Sequence, residues 1–216
     1  MVLVRHADKH PLAVVLLAAA GLGVALGLGA QHVGDLRPGL GWVGALGAPW
    51  LVTAFVAGAL APQARVAAIA GATALAVGTA AYYLAMVGMA GPGALGYAVV
   101  VGASWGMVAL GIGAAFGAAG CLWRRRDDIT GAVAAALPAG ALMGEAVLLA
   151  TIWDTRPALL IVGAQFGAGM TLPLLLVNRP ALRVIAVGAA VAAALVFGTG
   201  EAVVRDTLRG VGWAGA

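Results

Sequence analysis

Charge is what this chain has least of. Asp, Glu, Lys and Arg make up 9% of its 216 residues, against about 25% in a soluble domain. So few charges cannot cover a globular surface, so the exterior must face something apolar. Cysteine is nearly missing as well. With Cys121 alone, an internal disulfide and an all-cysteine metal site are both excluded. At a helix end Cys121 reads either as a palmitoylated or reactive thiol or, more simply, as a small packed side chain. Histidine is confined to His6, His10 and His32, and no spacing suits a transition metal. No P-loop or dinucleotide fingerprint stands out, because clusters such as Gly21-Leu22-Gly23 lie inside apolar runs. No cofactor and no metal are therefore expected.

What fills the chain is hydrophobic residues, 63% of the total, together with 34 glycines. The mean hydropathy is +1.04. Glycine weakens a soluble helix, but in lipid it lets helices approach closely. The expected fold is all-α: one polytopic transmembrane bundle of about seven helices, with no separate soluble domain. A crossing takes about 20 helical residues. Stretches of that order lie near residues 12–30, 42–61, 66–88, 95–122, 130–152, 158–177 and 184–200. Pro49 divides the second, so Pro49-Trp50 could instead open a shorter helix after a re-entrant turn. The first run sits behind Arg5 and Lys9 like a signal peptide. It is long, however, and Leu28-Gly29-Ala30 is a poor cleavage site, so it reads as a retained helix.

The net charge of +4 and pI near 10.0 do not point to nucleic acid, because the basic residues are scattered over short connections. They set orientation instead. With the N-terminus cytoplasmic, the inner side holds Arg5, Lys9, Arg65, Arg124, Arg125, Arg126, Arg179 and Arg183. The outer side holds Arg37, Arg156, Arg205 and Arg209. Trp50 and Trp153 would mark the outer interface and Trp123 the inner one. Arg124 to Asp128 reads as a cytoplasmic turn that also attracts anionic lipid.

Internal matches suggest a repeat. Asp35-Leu36-Arg37-Pro38 pairs with Asp154-Thr155-Arg156-Pro157, Arg65-Val66 with Arg183-Val184, and Gly78-Thr79 with Gly198-Thr199. The nearly constant spacing fits two parallel three-helix units joined by the fourth helix, a 3+1+3 plan. Chance alignment of Ala/Gly/Val-rich helices is the competing explanation.

Glu145 is the most informative residue. A carboxylate inside a transmembrane helix costs several kcal/mol if it faces lipid, so it should face the bundle interior. It lies about 12 Å below the outer edge, eight residues before Trp153. Gln165, Tyr82, Tyr83, Ser104 and Trp105 fall in the same half, so these six residues form the candidate substrate-binding set. Gln31, His32 and Glu201 sit at helix ends, where a solvated rim explains them. Gly102-Ala103-Ser104-Trp105-Gly106 matches the pattern of a serine nucleophile elbow. It lacks a histidine within reach, and Gly102/Gly106 is more simply a packing step. Similar steps occur at Gly23/Gly27, Gly113/Gly117, Gly140/Gly144 and Gly163/Gly167. No catalytic residue is assigned, and no enzymatic activity is expected.

Pro49-Trp50 with Ala54-Phe55 and Gly58, Tyr82-Tyr83, Gly117, Gly120 and Trp123 before the arginine run, and Gly144-Glu145 together carry a resemblance. The chain resembles an uncharacterised family of small polytopic membrane proteins found mainly in actinobacteria, domain of unknown function family 6518. The resemblance covers roughly residues 40–150. It implies a bacterial cell membrane location and brings no activity with it. Two readings of function then stand. One is binding or transport of a small solute through an outward-facing pocket around Glu145. The alternative is an accessory or assembly subunit whose glycine faces take a membrane partner or a second copy of the chain.

Overall fold

The computed structural model describes residues 12–36, 41–152, 156–210 and 212. Arg5, His6, Lys9, His10, Arg37, Pro38, Trp153, Asp154 and Thr155, named above, lie outside the described residues, as do the side chains of Asp35, Arg156 and Pro157. The described chain is all-α. Its helices are α1 (Leu12–Leu36), α2 (Ala48–Ala59), α3 (Ala64–Ala90), α4 (Leu95–Arg125), α5 (Ile129–Ile152), α6 (Arg156–Leu176) and α7 (Pro180–Gly210).

Six of these are long and apolar enough to cross a membrane. Their outer faces are apolar too: Leu17, Leu84, Leu175 and Val184 are each more than 70% exposed. Large aliphatic side chains on the outside fit a lipid surround, not water. The helix α5 is the exception. Of its most apolar stretch 78% is buried, against 11–44% in the others. It is the central post, built from small residues such as Ala135, Ala139 and Gly140.

The stretch at 42–61, expected as a full crossing, is corrected. It forms a 3-10 turn, Gly41–Ala45, and then the 12-residue α2. Twelve residues rise about 18 Å, little more than half of a hydrocarbon core of about 30 Å. The alternative reading at Pro49 describes it better. Proline has no N–H and favours the first turn of a helix, and Pro49 lies in the first turn of α2. The far end of α2 is held by Arg124, whose Nη1 donates to the Ala59 carbonyl at 2.8 Å. At that end of the bundle Trp123 Nε1 also donates to the Leu176 carbonyl at 2.9 Å. The carboxyl of Asp128 accepts from the Gly131 N–H at 3.1 Å. That bond holds it below the usual carboxylate range and caps the start of α5.

A second correction concerns α7. It was expected to end near residue 200 but continues to Gly210. Arg205 therefore lies in a helix and is buried, not in an outer connection.

Glycines set how closely the helices pack. A Cβ at Gly23 or Gly27 of α1 would overlap the Ala74 or Gly78 carbonyl of α3. The same holds for Gly58 of α2 against Gly117 of α4, and for Gly117 against the Ala67 carbonyl of α3. In α5, a Cβ at Gly140 or Gly144 would press on residues 190–198 of α7. The contacts advance in the same direction along both helices, so α1–α3 and α5–α7 are parallel pairs crossing at a GxxxG step. The helices between them differ: α2 is short and inserted, whereas α6 is full length and lies at the edge. Cys121 is buried beside Val15 and Ala67.

Gly117→Ala is expected to destabilise the protein by about 1–3 kcal/mol, the usual cost of overpacking. Gly163→Ala has open space in front of it and should be neutral within about 0.5 kcal/mol. Reversible unfolding in mixed micelles compares the two.

Candidate functional site

The break before α2 leaves two backbone donors, the N–H groups of Gly47 and Ala48, at the helix entrance. Such groups have no intrahelical partner and carry the positive end of the helix dipole. The Glu145 carboxylate of α5 takes both. Gly47 donates a short hydrogen bond to Oε1, and Ala48 donates to Oε2 at 3.0 Å. Gln165 of α6 donates from Nε2 to the same Oε2 at 2.7 Å. The Glu145 side chain is 0% exposed, so a carboxylate here needs these donors to offset its lost hydration.

Helix α7 supplies the rest. Arg205 donates from Nη2 to Glu145 Oε1 at 3.4 Å and to the Ala45 carbonyl at 3.1 Å. Its Nε and Nη2 reach Glu201 Oε1 at 2.8 and 2.6 Å. The pair is spaced i, i+4, one helical turn, so both side chains lie on one face. Arg205 is 3% exposed and Glu201 18%. The cluster thus ties the 3-10 turn, α2, α5, α6 and α7 together. Among the described residues, buried Gln165 Oε1 has no hydrogen-bond partner.

Beside this cluster lies a cavity of about 360 Å³. Its floor is the broken segment, Gly44 to Ala48, and its walls come from α2, α3, α4, α5 and α7. Trp50, Tyr82, Tyr83, Trp105 and Phe197 supply aromatic walls, and among the described residues Glu201 is the charged side chain on the lining. Trp50 meets Tyr82 edge-on, with ring centroids 6.3 Å apart, and Tyr82 meets Tyr83 in the same way at 5.2 Å.

The six expected residues therefore divide into three groups. Glu145 and Gln165 are joined directly in the buried network. Tyr82, Tyr83 and Trp105 line the cavity. Ser104 joins neither, since its hydroxyl donates back to the Val100 carbonyl at 2.9 Å. Glu145 does not line the cavity either; Gly47 and Ala48 stand between. Sequence reasoning missed Gly47, Ala48, Glu201 and Arg205. The available signals were Gly47-Ala48-Pro49, a helix start with free donors, and Glu201-x-x-x-Arg205, a one-turn ion pair.

Arg205→Met leaves two neighbouring carboxylates without their cation and should cost about 3–5 kcal/mol. Adding Glu201→Gln removes one of the carboxylates and should recover at least half of that loss. A double-mutant cycle on unfolding free energies reads the coupling, and additive costs would contradict this account of the cluster.

Neither a curated protein nor a solved structure matches the chain. A family defined without a known function matches it over residues 6–205, which takes in the broken segment, the cavity walls, Glu145 and Glu201. The chain belongs to that family of unknown function, DUF6518.

Proposed function

We propose that the protein binds a small solute in this cavity, for uptake or transfer at a bacterial cell membrane. The cavity carries the reading. Its volume of about 360 Å³ falls in the range of small-molecule sites, about 300–1,000 Å³. A discontinuous helix forms its floor, and such breaks are where membrane carriers hold substrates. In the orientation with a cytoplasmic N-terminus, the cavity belongs to the outward half. Glu145 then acts from behind the floor, fixing the break, while Glu201 presents its carboxylate to the solute. This reading assigns binding and no catalytic step.

Native mass spectrometry of protein taken from its own membrane tests the proposal. A small-molecule adduct is expected. Ala109→Phe, which fills the cavity from α4, should remove the adduct without lowering the melting temperature. An empty cavity in freshly extracted protein would count against the proposal.

One observation favours the second reading, an accessory subunit or homo-oligomer. Gly163 and Gly167 of α6 have nothing within 4 Å of where a Cβ would lie. This is the one of the GxxxG steps named above in which both glycines lack a neighbour among the described residues. A partner helix would explain it.

For orientation, single cysteines at Asp127 and Gly93 should be labelled from opposite sides of the membrane, Asp127 from the cytoplasm. Labelling of both from one side would defeat the proposed topology.

A further inference from the structure

We infer that the solute is a monovalent organic cation with apolar substituents. This deepens the proposed function and rests on the cavity being a solute site.

The first support is the lining. Aromatic faces carry negative electrostatic potential, and a cation held against them is attracted, most strongly where water is excluded. Trp50, Tyr82, Tyr83, Trp105 and Phe197 line one space. Among the described residues no lysine or arginine lines it, so an anionic solute would meet aromatic rings and a carboxylate.

The second support is the charge count. Glu145 and Glu201 face one guanidinium, that of Arg205. The three side chains therefore leave no positive charge to spare for an anionic solute, and the α2 entrance contributes only about half a charge. A single positive charge beside Glu201 is accommodated better than two.

The third is the shape of the floor. Gly47 lines the cavity, and a Cβ on it would lie 3.5 Å from the Oε1 atoms of both Glu145 and Glu201. Both carboxylates therefore lie close to this lining residue. A bare metal ion is a poor fit, because the described residues hold no group of three metal-binding side chains and the walls supply few oxygens to replace its water.

The test uses the full chain in lipid nanodiscs, with empty nanodiscs subtracted. Phenyltrimethylammonium is the probe, and tert-butylbenzene, which replaces nitrogen by carbon, is its neutral isostere. Fluorescence quenching reports binding through Trp50 and Trp105. The cation is expected to bind saturably and at least tenfold more tightly than the isostere. Glu201→Gln should abolish that preference. If Glu201→Gln does not fold, Tyr82→Leu, which leaves the ion cluster intact, should reduce the preference at least threefold. Equal binding of cation and isostere overturns the inference while leaving the cavity a solute site. Absence of saturable binding by the cation also overturns it, and the native adduct measurement then judges the solute reading separately. A preference that survives in both variants overturns the inference as well.

Discussion

The structure turns on a buried carboxylate that has found its donors. A charge taken out of water costs several kcal/mol even after relaxation. Glu145 is enclosed on every side, so the bundle around it must provide what water would have provided. It does so from four directions: two backbone N–H groups, an amide and a guanidinium. The donors come from three parts of the chain: the broken segment, α6 and α7. The position of α7 against α5, of α6 against α5, and of the broken segment against all three is thereby fixed by one side chain.

That requirement also accounts for the shape of α2. An unbroken helix through residues 42–61 would have spent the Gly47 and Ala48 N–H groups on its own carbonyls, leaving Glu145 with Gln165 and Arg205 alone. Breaking the helix costs backbone hydrogen bonds, which is tolerable at membrane depth only where protein or a cavity lies alongside. Both conditions hold here. The carboxylate sits on one side of the break and the aromatic cavity on the other. Arg124 then secures the opposite end of the short helix through the Ala59 carbonyl. A segment too short to span is held at its two ends by opposite charges, each placed against the matching pole of its dipole.

Much of the fold was legible because lipid imposes blunt rules. Low charge and long apolar runs gave the helix count to within one, and the cost of a lipid-facing acid placed Glu145 inside, with Gln165 among several candidate partners. The failures have physical causes. Hydropathy treats residues 42–61 as one apolar stretch, because the glycines and Pro49 that break it barely lower the average. Glu201 and Arg205 lower it sharply, so α7 looked finished at residue 200. A charged pair can continue a membrane helix when its two members satisfy each other, and a sliding average cannot register that. Ser104 misled in the opposite way. A serine that returns its hydroxyl to the carbonyl one turn back is chemically occupied, however suggestive its neighbours.

The break in α2 also has a consequence for how the protein is made. Gly47 and Ala48 lie 98 and 97 residues before the carboxylate that accepts their N–H groups. Chains emerge from the ribosome at about 5–20 residues per second, so the partner follows about 5–20 s later. Throughout that interval the entrance of α2 lacks the acceptor that its two N–H groups later find. Those hydrogen bonds close only once α5 has arrived. The second helix of this chain therefore gains its final partner only with its fifth.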